Sequence, residues 1–216
     1  MSDMHTGGIQ RVLTEGRLKS IFMSIFEEMQ TLRADTFMRE QEAKKTYGKI
    51  LPLVRGLRFS TLLIYAIRDI LKETELKTSW GHLLDENDAL CSRECDIIIH
   101  CKRHGGREER WNGHKRPVMD FRFIRQQNAI AVISCKLLLK PSQIDKEYCD
   151  SMKLFVENVW LFAECCELGK ADNVKNKALC SGYDKFWYLY SWNRDSDPEP
   201  NIDGWMNFVK ELEKLR

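Results

Sequence analysis

Two charged residues stand beside long apolar runs in the middle of the chain. Asp96 directly precedes Ile97-Ile98-Ile99, and Lys136 directly follows residues 129–135, Ala-Ile-Ala-Val-Ile-Ser-Cys. Both runs are typical of buried β-strands. A lysine at the end of such a run is costly unless it has a partner or a chemical role. If the two strands are neighbours, Asp96 and Lys136 meet at one edge of the sheet.

An aspartate and a lysine at one sheet edge suit the hydrolysis of a phosphodiester bond. A carboxylate holds Mg²⁺, which polarises a phosphate oxygen and lowers the pKa of an attacking water. Mg²⁺ prefers one or two carboxylates together with water and substrate oxygens. The lysine positions that water or neutralises charge developing on the phosphate. Simpler roles stay open for both residues. Asp96 is also consistent with an acid at a strand edge that pairs with Arg93. Lys136 is also consistent with a lysine at a strand end whose side chain reaches solvent.

The elements that must position these residues alternate between helix and strand. Apolar spacing predicts helices over 9–46, 57–72, 142–162 and 205–215. Ser142 is the expected N-cap of the third helix, with Asp145 as its partner three positions on. β-Branched and aromatic runs predict strands over 80–84, 89–101, 120–124, 129–135 and 186–192. This order predicts an α/β fold with a mixed sheet.

The composition of the 216-residue chain is that of a folded globular protein. Hydrophobic residues make up 43% and charged residues 31%, which excludes a disordered or fibrous chain. Neither a membrane span nor an export signal is seen, so we expect a cytoplasmic protein with no membrane partner. The eight cysteines form no CxxC pair. We therefore expect reduced, mostly buried thiols and neither a disulfide framework nor a structural zinc site.

The formal net charge of +2 hides a basic segment. Residues 102–140 carry ten basic and three acidic residues, a net charge of +7. The predicted loop 102–116 begins directly after the Asp96 strand and carries six basic and two acidic residues. It is either a merely solvated loop or a surface for nucleic acid, with basic groups for phosphates and a tryptophan for stacking on a base. The candidate nucleic-acid-binding residues are Lys102, Arg103, Arg107, Arg110, Trp111, Lys115 and Arg116.

Residues 56–160 resemble the PD-(D/E)xK nuclease superfamily, and in layout the compact NucC-like bacterial defence nucleases. The matching segments, in the family's order, are Gly81-His82-Leu83-Leu84-Asp85, then 92–99, 131–136 and 142–155. The resemblance implies a restriction-endonuclease-like mixed central sheet flanked by helices. From the length and the helical pattern we expect an N-terminal helical arm for oligomerisation, residues 1–50, and a nuclease-like domain, residues 51–216. The resemblance also implies that Asp96 and the backbone carbonyl of Cys135 bind Mg²⁺, for which Mn²⁺ substitutes, and that Lys136 is the catalytic lysine.

Two positions depart from the family pattern. Ser134 stands where the acid of the acid-x-Lys box is expected, and the predicted helix over 57–67 lacks the acid that many relatives carry there. Three outcomes are open for Ser134. A replacing acid comes from the following helix, with Glu147 and Asp150 as candidates for catalysis and Asp150 for metal binding. Alternatively Glu94 supplies it, or the protein is an inactive nuclease that binds without cutting.

The favoured hypothesis is a Mg²⁺-dependent DNA endonuclease of a prokaryotic restriction-modification or antiphage system. Such enzymes are usually dimeric, because a two-fold protein cuts both strands of a palindromic site. We therefore expect a homodimer or a higher homo-oligomer. The alternatives are a catalytically inactive nucleic-acid-binding or scaffold subunit on the same fold, and a helical interaction protein that assembles through residues 9–46.

Overall fold

The structure is a computed structural model that describes residues 13–42, 50–101, 121–193 and 196–215. The helices and strands of these residues confirm the predicted α/β fold. In chain order they are α1 Glu15–Glu42, α2 Ile50–Ile70, β1 Leu76–Leu84, β2 Cys95–Cys101, β3 Phe121–Arg125, β4 Ala129–Leu139, α3 Lys146–Lys153, β5 Asn158–Glu167, α4 Ala171–Cys180, β6 Lys185–Trp192, β7 Glu199–Pro200 and α5 Ile202–Glu213.

The seven strands form one mixed sheet in the order β3-β1-β2-β4-β5-β6-β7. β2 runs antiparallel to both β1 and β4, while β4, β5 and β6 are parallel to one another. Parallel neighbours need crossover connections, and α3 and α4 supply them between β4 and β5 and between β5 and β6. The centre of the sheet is therefore β4, flanked by β2 and β5.

A hydrophobic core lies on each face of this sheet. On one face α1, α2 and α5 pack against the strands through side chains such as Phe22, Phe59 and Phe208. On the other face α3 and α4 pack through Met152 and Val174. The first half of α1, predicted as part of an arm, thus shares the main core, and the indole of Trp205 on α5 donates a hydrogen bond to the Leu18 carbonyl.

The helix predicted over 142–162 is wrong in its second half. The helix α3 ends at Lys153, near the middle of this range. The strand β5 then begins at Asn158, and its residues 159–166 are all buried. A short run of apolar residues buried on both faces fits a central parallel strand as well as a buried helix, and periodicity alone does not separate the two. The N-cap of α3 is also Asp145, whose carboxylate accepts the Tyr148 amide hydrogen, and not Ser142.

Three further elements differ from the sequence prediction. No element was predicted between residues 163 and 185, yet α4 forms there, with a narrow buried stripe of Val174 and Ala178. β4 extends to Leu139, so Lys136 lies inside this strand and not at its end. α2 begins earlier than predicted, at Ile50, because Pro52 is tolerated in the first turn of a helix.

Four of the eight cysteines, Cys95, Cys149, Cys165 and Cys166, are buried. All eight cysteines are free thiols, and only Cys180 among them is exposed. None of the helices in the described ranges is both long and apolar enough to cross a membrane.

Candidate functional site

Asp96 and Lys136 lie on adjacent strands, as the sequence predicts. β2 and β4 pair in regular antiparallel register up to Ile97 and Ile133. Beyond this pair, the Cys135 amide donates a hydrogen bond to Asp96 Oδ2 at 2.8 Å. Asp96 lies one residue beyond the last regular pair, and its side chain bonds to the β4 backbone two residues beyond that pair. Lys136 is the next residue of β4, and its charge is close enough to act on the Asp96 carboxyl group.

A β-bulge in β2 sets the direction of the Asp96 side chain. β1 pairs with β2 through Ser79 and Ile98 and again through Gly81 and Cys95. Trp80 alone therefore stands opposite the two residues between, Asp96 and Ile97. Bulges of this kind redirect side chains and are over-represented beside active sites.

Gly81, the glycine of the family-like segment, is required by its backbone. Its φ is +150°, and a Cβ atom there would lie 1.8 Å from the backbone oxygen of Arg122 on β3. β3 runs parallel to β1 and packs directly against this glycine. The glycine thus lets the outer strand close against the hairpin whose second strand carries Asp96.

The pKa of Asp96 is raised above its ordinary value, chiefly because burial disfavours the charged carboxylate. Glu94 raises this pKa further by charge repulsion. The Cys135 amide, the positive charge of Lys136 and the Ser134 hydroxyl act in the opposite direction. A cation bound beside Asp96 would also favour its charged form, so this carboxyl group suits a metal ligand.

Ser134 occupies the position of the missing acid and brings no charge to it. Its side chain is 2% exposed, and as an alternate residue of β4 it shares a strand face with Lys136. Its hydroxyl stabilises the Asp96 carboxylate. Ser134 therefore acts on Asp96 as a neutral donor, where an acid would have added a second negative charge.

Cys135 offers its backbone to the site. The amide and carbonyl groups of one residue in an extended strand point to the same side. Since the Cys135 amide faces Asp96, its carbonyl oxygen also faces β2. The thiol is buried, and burial raises its pKa well above the ordinary value, so the side chain stays protonated. The backbone carbonyl is the group of Cys135 that suits a hard cation.

The helix that follows β4 carries the two acids predicted to replace the one missing at Ser134. Glu147 and Asp150 are both exposed on α3. Asp150 lies beside Gly182, where an added Cβ would be 3.6 Å from its Oδ1. In the described part of the chain no hydrogen bond or ion pair joins Glu147 or Asp150 to Asp96 or Lys136.

Glu94 lies closer to the site than these two acids. It precedes β2, and its charge acts directly on Asp96. The indole nitrogen of Trp80 donates a hydrogen bond to Glu94 Oε1 at 2.5 Å. Trp80 is the residue opposite the bulge, so one side chain of β1 fixes an acid beside the Asp96 carboxylate.

A second buried acid, missed by the sequence analysis, lies on β5. Glu164 is 0% exposed and accepts two hydrogen bonds from Arg55 of α2, at 2.6 and 3.1 Å. The Tyr190 hydroxyl donates a third. These partners occupy the carboxylate, which ties α2 to the sheet. An acid inside the apolar run 159–166 was its sequence signal, but the predicted helix covers only the first half of this run and no element is predicted for the rest.

The predicted nucleic-acid-binding residues Lys102, Arg103, Arg107, Arg110, Trp111, Lys115 and Arg116 lie outside the described residues. Within the described ranges, no group of three or more His, Cys, Asp and Glu side chains is arranged to hold a metal ion. A metal site here must therefore combine fewer acids with backbone, water and substrate oxygens, as Mg²⁺ sites do.

Comparison with solved structures identifies one fold. NucC of E. coli MS115-1 in its cAAA-bound form has a TM-score of 0.60 at 11% identity, over 94% of this chain and 91% of that one. NucC of P. aeruginosa ATCC27853, also cAAA-bound, has a TM-score of 0.58 at 12% identity, over 94% and 92%. The apo form of the E. coli protein has a TM-score of 0.55 at 11% identity, over 94% and 93%.

No protein-family model and no curated protein sequence matches the chain. The resemblance to the NucC layout, first seen in short motifs, is confirmed at the level of the fold and extends over nearly the whole chain. The protein has the fold of NucC, with Asp96 and Lys136 on its adjacent strands β2 and β4.

Proposed function

We propose that this protein is a metal-dependent DNA endonuclease of a bacterial antiphage defence system. The observation that carries the proposal is the meeting of Asp96 and Lys136 at the β2–β4 junction, where the Cys135 amide fixes the carboxylate. The shared fold with NucC supports the same activity class. The cofactor we propose is Mg²⁺, with Mn²⁺ as a substitute, and the proposed assembly is a homodimer or higher homo-oligomer.

The residues present fit a hard divalent cation. Asp96 retains lone pairs after accepting the Cys135 hydrogen bond, and the Cys135 carbonyl faces the same side. These two groups would hold Mg²⁺, which supplies a Lewis acid for a phosphate oxygen. Lys136 places its ammonium group beside them, where it neutralises charge on the scissile phosphate and holds the attacking water. The basic residues of 102–116 are the proposed contacts to the DNA backbone.

Cleavage of supercoiled plasmid tests this proposal. We expect nicked and linear products with Mg²⁺ or Mn²⁺ and none with EDTA. The assay is run with and without cAAA, because two of the similar NucC structures hold this ligand. Single-stranded DNA and RNA are included as competing substrates, and faster cutting of RNA would reassign the substrate. In cells, expression of the chain should lower phage plaque counts.

Ser134 favours a second candidate function, an inactive nuclease fold that binds nucleic acid or serves as a scaffold subunit. The box lacks its acid and thus one negative charge for the cation. This candidate predicts duplex binding in a gel-shift assay together with no cleavage under any metal. Binding that falls steeply with salt would indicate contacts to phosphates.

A further inference from the structure

The missing box acid leaves the site short of negative charge. Asp96 is the one carboxylate on the paired strands at the β2–β4 junction, and Ser134 contributes a neutral hydroxyl beside it. Lys136 adds a positive charge, which opposes cation binding. A Mg²⁺ site with one or two carboxylates is common, but a second carboxylate here would offset the lysine.

Glu94 is the acid in the right place. Glu94 and Asp96 are two residues apart, and the charge of Glu94 acts on the Asp96 carboxyl group. Each carboxylate is fixed through one oxygen by an N–H donor: Asp96 Oδ2 by Cys135, and Glu94 Oε1 by Trp80. Metal-binding carboxylates are typically oriented by such outer hydrogen bonds.

A buried hydroxyl beside Asp96 points independently to a ligand. Tyr148 is 8% exposed, and its hydroxyl has no hydrogen-bond partner within the described residues. The Cys95 thiol, a weak acceptor, lies beside it, and the charge of Asp96 acts on it. Buried hydroxyls in native proteins are nearly always satisfied, often by ordered water. Because Mg²⁺ keeps several waters in proteins, a hydrated cation at Asp96 offers the acceptor that Tyr148 lacks.

We infer that Glu94 is the second carboxylate of a divalent-cation site with Asp96, that the Trp80 indole orients it, and that it replaces the acid absent at Ser134. This inference rests on the proposed metal-dependent function, but metal binding tests it without any cleavage. It assigns Glu147 and Asp150 of α3 no part in binding the cation. The bulge contributes to this site because it places Trp80 opposite Asp96.

Calorimetric titration of the full chain with MnCl₂, without nucleic acid, tests the inference. We expect one Mn²⁺ site per chain in the wild-type protein. Glu94→Gln keeps an oxygen acceptor for Trp80 and removes only the charge, and it should weaken Mn²⁺ binding by at least about tenfold. Trp80→Phe removes the orienting N–H group and should weaken binding by about tenfold, the lower end of effects seen for outer-shell partners. In the double variant, Trp80→Phe should cause no further loss.

Matched controls are Glu147→Gln and Asp150→Asn, which should bind Mn²⁺ as the wild type does. Wild-type affinity in Glu94→Gln, or a loss confined to Glu147→Gln or Asp150→Asn, would overturn the inference. So would a wild-type chain that binds no Mn²⁺. If Glu94→Gln binds normally while the wild type cuts DNA, only the inference fails. If Mn²⁺ binds through Glu94 and no nucleic acid is cut, only the proposed function fails.

Discussion

The Asp96 carboxylate on β2 accepts the backbone amide hydrogen of Cys135 on β4, with 2.8 Å between Oδ2 and N. The last regular pair of the two strands is Ile97 with Ile133, so the bond joins residues one and two positions beyond it. It fixes an acid next to Lys136 and turns the Cys135 backbone toward that acid. The proposed chemistry depends on this junction between β2 and β4.

Lys136 is the residue whose loss should affect cutting most directly. Lys136→Met keeps much of the aliphatic side chain and removes the charge, so the fold should persist while the single-turnover rate of DNA cleavage falls by at least about 100-fold. Lys140→Met is the matched control, because Lys140 is exposed and follows the same strand. Cleavage by Lys140→Met should match the wild type. Equal rates for Lys136→Met and Lys140→Met would contradict the role of Lys136.

The raised pKa of Asp96 makes this residue costly for folding at neutral pH. Between its ordinary pKa of 3.8 and its raised pKa, the folded chain binds more protons than the unfolded chain. The Asp96 contribution to stability therefore falls as the pH rises through that window. Asp96→Asn keeps an acceptor for the Cys135 amide without a charge. It should raise the melting temperature at pH 7 in EDTA, and the gain should shrink as the pH falls toward 3.8. A lower melting temperature at pH 7 would contradict this account.

Restoring the box acid should strengthen the metal site at a cost in stability. Ser134 is 2% exposed, so Ser134→Asp places a second carboxylate beside Asp96 in a buried position. Like charges this close disfavour each other, and the melting temperature in EDTA should fall. Added Mn²⁺ should raise it again, and the Mn²⁺ affinity should increase by about tenfold, which corresponds to about 1.4 kcal/mol. An unchanged affinity would mean that the cation does not lie at this junction.

The buried ion pair between Arg55 and Glu164 should control stability and not metal binding. The Arg55 side chain is 16% exposed and that of Glu164 is 0% exposed. Arg55→Met leaves the buried carboxylate without its main partner and should cost about 3 kcal/mol in urea unfolding. Adding Glu164→Gln to that variant should recover part of the loss. If Arg55→Met alone weakens Mn²⁺ binding in a fully folded protein, the pair belongs to the site.

The sequence identifies the centre of the site because its two charged residues interrupt apolar runs. Asp96 and Lys136 are visible for this reason, and strand pairing brings them together as expected. The bulge is not visible, since nothing in residues 94–97 signals that one residue of β1 stands opposite two of β2. The bond from Trp80 to Glu94 depends on that pairing. Glu164 was missed because the first residues of its strand continue the apolar spacing of the predicted helix 142–162, and no element is predicted for the residues that follow.

The measurement that tests the central claim most directly is plasmid cleavage by the wild-type chain beside Asp96→Asn, with each protein shown to be folded. In Mg²⁺ or Mn²⁺, with cAAA present, the wild type should convert supercoiled DNA to nicked and linear forms. Asp96→Asn should leave the plasmid supercoiled, and EDTA should stop the wild type. A wild-type chain that leaves the plasmid supercoiled under all of these conditions, or an Asp96→Asn variant that cuts equally well, would contradict the proposed function.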